Sequence, residues 1–138
     1  MEQLKGAKTF STINIGDRAS FKVLVDRAAQ ESFLELSGDN SPIHVDEGFC
    51  VQSKFGRRIG YAFYLTMLLS RLYGKYLPGG SSICVRQEAN FIKPFFIDDW
   101  LNVVGVVTGK IESTHFVEIE TSIYRRDNEL IFRGKGIE

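Results

Sequence analysis

This sequence is short of the residues that mark metal, redox and nucleic-acid proteins. Among its 138 residues are two cysteines, two histidines, three prolines and one tryptophan. Cys50 and Cys84 stand far apart, in no Cys-x-x-Cys and beside no histidine, so they read as reduced packing cysteines and not as a metal or disulfide pair. Neither sign of charge is in excess, because 17 Lys and Arg balance 17 Asp and Glu. No overall field therefore draws the chain to nucleic acid or to an anionic membrane. The longest strongly apolar run, Ile59 to Leu69, is about half the ~20 residues that cross a bilayer. The opening stretch MEQLKGAKTFSTINIGDR lacks the apolar core of a signal peptide, which makes the cytoplasm the expected location. Repeats and low-complexity segments are absent too.

What is present is an ordinary globular composition, 43% apolar and 25% charged, in a length suited to one domain over residues 1–138. Ala19 to Val25 reads as a short strand after the turn Asn14-Ile15-Gly16-Asp17. Asp26 is placed to cap a helix over Arg27 to Leu36, with Ala29, Phe33 and Leu36 as its apolar stripe and Gly38 as its terminator. From Gly60 to Leu77 the sequence is GYAFYLTMLLSRLYGKYL, apolar nearly all round, as a buried helix is. Its small residues Ala62, Thr66 and Ser70 fall at intervals of four, along one side.

After Pro78-Gly79-Gly80 the period becomes two. Segments within Ile83 to Phe91, Trp100 to Thr108, Phe116 to Arg125 and Leu130 to Ile137 read as strands, with Arg126-Asp127-Asn128 as a hairpin turn. The predicted fold is α+β: an antiparallel sheet of about five strands wrapped around one long helix over residues 60–77. That architecture is the hot dog.

Between the two helices lies Ser37 to Glu47, SGDNSPIHVDE, with Asp39, His44, Asp46 and Glu47 in eleven positions. Loops need Gly, Asp, Asn, Ser and Pro in any case, so these residue types fit a capped connector as well as a proton-transfer pair. Asp46 and Glu47 read as first-turn carboxylates of a further short helix. His115 opens a strand without a partner in the sequence and reads as a surface or packing residue.

LSGDNSPIHVDE, FGRRI, the helix over 60–77, LPG at Leu77 to Gly79 and FIKPFFIDD at Phe91 to Asp99 occur in an order that resembles the MaoC-like hydratases, which include the (R)-specific enoyl-CoA hydratases. The resemblance covers roughly residues 15 to 137. It implies a hydratase or dehydratase of 2-enoyl and 3-hydroxyacyl thioesters in fatty acid metabolism. Asp39 and His44 would activate one water. The substrate would be a thioester of coenzyme A or of acyl-carrier protein, with no cofactor beyond that coenzyme A. It also implies a homodimer with each site near the interface.

Two positions depart from the family pattern. Ser41 stands for the family's Asn before the proline, and Gly60-Tyr61-Ala62-Phe63 for its Ala-His-Gly-Met. By the resemblance the Ala62 N–H would meet the thioester carbonyl, Tyr61 would line the entrance, and Ser70 matches a serine close to the family's catalytic Asp. The Tyr61-Ala62 change supports an alternative reading, a non-catalytic acyl-thioester binder or structural subunit. A hot-dog thioesterase is disfavoured, since the 60–77 helix has no Asp or Glu. A dehydratase with an HFP-type loop and a helix Glu is disfavoured because both are missing. Lys54, Arg57 and Arg58 form a basic cluster that suits either phosphates or solvent.

The chemistry fits the residue types. A His with an ordinary pKa near 6.5 can take a proton from water at neutral pH, and a carboxylate gives that water a second acceptor. Pro42 restricts both itself and Ser41, which stiffens the loop between the two side chains.

Overall fold

The structure is a computed structural model that describes residues 7–138. Residues 1–6, part of the stretch read above for a signal peptide, lie outside the described residues. Five strands, β1 (Arg18–Leu24), β2 (Arg86–Phe91), β3 (Trp100–Ile111), β4 (Phe116–Arg125) and β5 (Glu129–Ile137), form one antiparallel sheet. Their order is β1-β3-β4-β5-β2, so β2 sits at the edge beside β5 and not beside β3, which follows it in the chain. The turn between β4 and β5 uses Asp127 and Asn128 at φ 57 and 54, a region that Asp and Asn tolerate.

Four helices precede β2: α1 (Arg27–Ser37), α2 (Pro42–Val45), α3 (Glu47–Val51) and α4 (Ala62–Arg71). Local chemistry sets the bounds of α1. The Asp26 carboxylate accepts the Ala29 N–H, and Gly38 ends the helix at φ 72 with its N–H on the Leu34 carbonyl, a conformation that suits glycine. The apolar face of α1 differs from the predicted stripe. Ala29, Phe33 and Leu34 pack against the core, whereas Leu36, in the last turn, is exposed.

The long helix also differs in detail. It starts at Ala62 rather than Gly60, because the Gly60 N–H is taken by the Phe95 carbonyl and Ile59 bridges Phe96. After Arg71 it widens into a π-type turn over Leu72–Tyr76, closed by the Leu77 N–H on the Leu72 carbonyl at 2.9 Å. Tyr64, Leu65, Leu68, Leu69 and Leu72 fill the concave side of the sheet with residues such as Val103, Ile119, Ile123 and Phe132. The opposite side of α4 is not buried: Phe63 is 68% and Met67 44% exposed. A helix apolar all round predicts burial all round, and this chain covers only one side of it. Among the described residues, no helix is long and apolar enough to cross a membrane.

Candidate active site

The stretch SGDNSPIHVDE folds as a chain of short caps. Asp39 accepts the Ser41 N–H at 3.1 Å, Pro42 occupies the first turn of α2, and Asp46 caps α3 by accepting the Phe49 N–H at 2.9 Å. The Ser41 hydroxyl makes no cap bond to α2, and the turn is held instead by the Asp39 side chain. Asp46 and Glu47 are the helix carboxylates that their positions suggested.

His44 is the best-held side chain of the loop. Its Nδ1 lies 3.0 Å from the Ile59 carbonyl oxygen. A carbonyl only accepts, so Nδ1 carries the hydrogen and the neutral ring keeps its lone pair on Nε2. That nitrogen faces Asp39, with Oδ2 at 4.0 Å. The separation is too long for a direct hydrogen bond and suits a water that bonds to both. The Ser41 backbone N–H and hydroxyl, with a smaller effect of His44, hold the Asp39 carboxyl below its ordinary range despite some desolvation. Asp39 is therefore an anion throughout the neutral range.

Two residues that the motif does not contain fix the backbone behind this pair. The buried Arg58 donates its Nε–H to the His44 carbonyl at 2.6 Å. Gln30, 2% exposed on α1, donates to the Ile59 carbonyl at 3.0 Å and reaches the His44 carbonyl at 3.4 Å. The basic cluster is thus partly spent on structure. Arg57, its neighbour, lies over the Phe96 ring at 3.7 Å.

Tyr61 joins the loop to α4. Its ring stacks on His44 with centroids 4.0 Å apart, and its hydroxyl donates to the Asp39 carbonyl at 2.6 Å. Burial raises the phenol pKa, with the Asp39 charge adding to it, so the hydroxyl stays a donor. Replacing Tyr61 with Phe keeps the stack and removes one hydrogen bond. The expected cost in denaturant unfolding is ~0.5–1.5 kcal/mol, with kcat lowered more than KM if the hydroxyl aligns Asp39.

Ala62 is the first helical residue after Tyr61, and Tyr61 offers no side-chain cap. The Ala62 N–H is thus one of the free donors at the positive end of the helix dipole. Ala62 is absent from the residues at positive φ, so the methyl group imposes no backbone strain. A cavity of about 200 Å³ opens beside it, walled by Gly60, Leu65, Phe91, Pro94 and Phe95. Gly60 is required at this wall, since a Cβ there would lie 2.1 Å from the Phe95 ring.

The N-terminus of α4 thus brings together Asp39, His44, Tyr61 and the Ala62 N–H. Ser70 is two turns away, about 12 Å along the helix axis, and lines a second cavity with Tyr73 and Glu138. Thr66 donates back to the Phe63 carbonyl at 2.7 Å. His115 stacks on Phe10 at the surface, as a packing residue.

Known proteins share this arrangement of elements. The family model described as MaoC like domain matches residues 11–126. The chain is 29% identical to the (R)-specific enoyl-CoA hydratase of Aeromonas caviae, over 91% of this chain and 94% of that protein. It is 30% identical to the (R)-specific enoyl-CoA hydratase of Rhodospirillum rubrum, over 82% of this chain and 78% of that protein. The solved structure of the (R)-hydratase from A. caviae involved in PHA biosynthesis superposes with a TM-score of 0.88 at 28% identity, covering 91% of this chain and 96% of that one. With the family model spanning most of its length and the hot-dog sheet and helix in place, this chain belongs to the MaoC-like domain family.

Proposed function

We propose that this chain is a hydro-lyase, adding water to 2-enoyl thioesters of coenzyme A or removing it from 3-hydroxyacyl thioesters. The observation that carries the reading is the Asp39–His44 pair, with His44 Nε2 4.0 Å from an Asp39 carboxylate oxygen and the ring held through Nδ1 by the Ile59 carbonyl. In the hydration direction a water bonded to both is deprotonated by Nε2 as its oxygen attacks the β-carbon. The π electrons move toward the thioester carbonyl, whose oxygen is met by the Ala62 N–H at the positive end of α4. The proton on His44 returns to the α-carbon, so the cycle consumes only water. The Asp39 carboxylate orients the water and stabilises the imidazolium. Coenzyme A enters as part of the substrate, and the whole of residues 1–138 serves as one domain. Steady-state hydration of crotonyl-CoA by the wild type, Asp39→Asn and His44→Ala tests the assignment, and equal rates in all three would sink it.

The open side of α4 and the unpaired edge of β2 support a homodimer. Phe63, Met67, Ile83, Val85 and Phe91 are all exposed in the single chain, and a second copy covers such surface. Two α4 helices packed antiparallel about a two-fold axis at Thr66 set Ala62 of one protomer opposite the partner's Ser70, since both lie four positions from 66. In this dimer Ser70 belongs to the site across the interface. Sedimentation is expected to give twice the 15.6 kDa of one chain, and Phe63→Asp with Met67→Asp is expected to return it to the monomer. A wild-type monomer at micromolar concentration would refute the dimer.

A further inference from the structure

The second cavity, at the C-terminal end of α4, has a volume of about 310 Å³. Leu69, Tyr73 and Gly74 give it apolar walls, and Ser82, Cys84, Gln87 and Glu138 give it a polar end. Two of those polar groups are incompletely satisfied. Glu138 is only 8% exposed, and among the described residues neither its buried Oε1 nor the buried Ser82 Oγ makes a well-formed hydrogen bond, although the Cys84 thiol and the Ser82 hydroxyl lie close enough to the carboxyl to steady its charge. The neighbouring polar groups are already committed. The Tyr73 hydroxyl donates to Gln87 Oε1, and the Gln87 amide donates to the Glu88 carbonyl at 2.7 Å. Among the described residues no Lys or Arg lines the cavity, so no cation there offsets the carboxyl charge. The carboxyl is also held in place, because Glu138 pairs with Val117 through backbone bonds of 2.8 and 3.0 Å.

A buried acceptor short of donors is destabilising, and a ligand that supplies one relieves that cost. Burial raises the Glu138 pKa above the ordinary carboxylate range, against a smaller opposing effect of Cys84 and Ser82. An apolar-walled pocket with one or two convergent polar groups is the form of a small-molecule site, the polar groups fixing the end of the ligand. At about 30 Å³ for each non-hydrogen group, the volume holds roughly ten such groups.

We propose that this cavity takes the end of an acyl chain bearing a hydrogen-bond donor, a hydroxyl or an ammonium group, which Glu138 and Ser82 bind. That the ligand is an acyl thioester rests on the hydratase reading above. In the antiparallel dimer a thioester carbonyl at Ala62 of one protomer faces the partner's cavity, with Ser70 at its rim and the polar end beyond. A plain alkyl chain of the same length would strand the carboxyl in contact with methyl groups. The specificity of the site is therefore for polar acyl groups.

Calorimetric binding of hexanoyl-CoA, 6-hydroxyhexanoyl-CoA and 6-aminohexanoyl-CoA reads this apart from turnover, because saturated thioesters cannot be hydrated. At least one polar thioester is expected to bind tenfold or more tightly than hexanoyl-CoA. Glu138→Leu removes that ratio. The isosteric Glu138→Gln keeps a preference for the hydroxyl, since its amide oxygen still accepts, and loses one for the ammonium. Equal binding of all three, tighter binding of hexanoyl-CoA, no binding, or a polar preference that survives in Glu138→Leu would each overturn the inference. Asp39-dependent hydration of crotonyl-CoA with equal binding of the three thioesters leaves the hydratase reading standing without this site. A Glu138-dependent polar preference with no hydration of crotonyl-CoA does the reverse.

Discussion

Replacing Asp39 with Asn, or His44 with Ala, lowers kcat/KM for crotonyl-CoA hydration about 10²–10⁴-fold. Asn keeps the shape of Asp39 and can still accept the Ser41 N–H, so the loop folds and only the charge is lost. Without that charge the water loses its anionic acceptor and the imidazolium its counterion. Ala at 44 removes the base outright, together with the bond to Ile59. The two side chains act on one water, so the double variant is expected to be no slower than the worse single variant by more than a few-fold. Ser41 already holds Asp39 ionised well below neutrality, so Asp39→Asn keeps the wild-type shape of the pH profile above pH 5. Circular dichroism of each variant separates lost turnover from lost fold. A properly folded Asp39→Asn protein with wild-type rate would remove the carboxylate from the mechanism.

The largest expected effect on stability lies behind the site, at Asp99. This carboxylate accepts the Arg125 Nε–H at 2.9 Å and the Phe96 N–H at 2.8 Å, and Arg126 lies 3.5 Å away. Asp99 is 3% and Arg125 10% exposed at the side chain. Asp99→Ala leaves the buried guanidinium with only the more distant Glu129 carboxylate at 3.7 Å, a loss of up to ~3–5 kcal/mol in denaturant unfolding. Asp99→Leu combined with Arg125→Met is expected to cost less than that single change, because neither charge is then stranded. Burial pushes the Asp99 pKa up, but the Arg125 hydrogen bond, the Phe96 N–H and the charges of both arginines outweigh it and leave the folded value low. A depressed folded pKa contributes stability above the unfolded value of ~3.9. That contribution fades as the pH falls through the folded value, so the wild type loses melting temperature below about pH 4 and Asp99→Ala loses less of it. The consequence reaches the site, since Phe96 bridges Ile59, whose carbonyl holds His44.

The caps of α1 were readable because a cap is a bargain among neighbours: Asp26 meets a backbone N–H three residues on, and Gly38 needs only its own φ. Asp39 and His44 were readable as a motif, and the packing of that loop follows from Ser41, Pro42 and Asp46 close by. Gln30 and Arg58 were not. The carbonyls they hold are 14 and 29 residues distant, and an isolated Gln on an amphipathic helix or an Arg beside another Arg carries no sign of such a partner. The edge position of β2 was hidden for the same reason, as the strand that follows it pairs elsewhere.

Composition, period and one loop motif were enough to settle an α+β domain with a sheet around a helix, because hydrophobic periodicity and turn chemistry act within a few residues. Folding decided the rest. It stacked Tyr61 on His44 in place of an imidazole, made Ala62 an ordinary helix start without strain, and set the proton of His44 on Nδ1 through Ile59. It also left one side of the most apolar helix bare and buried the Glu138 carboxyl at its far end. Each of these outcomes depends on groups remote in sequence meeting at a few ångströms, and no local pattern encodes that meeting.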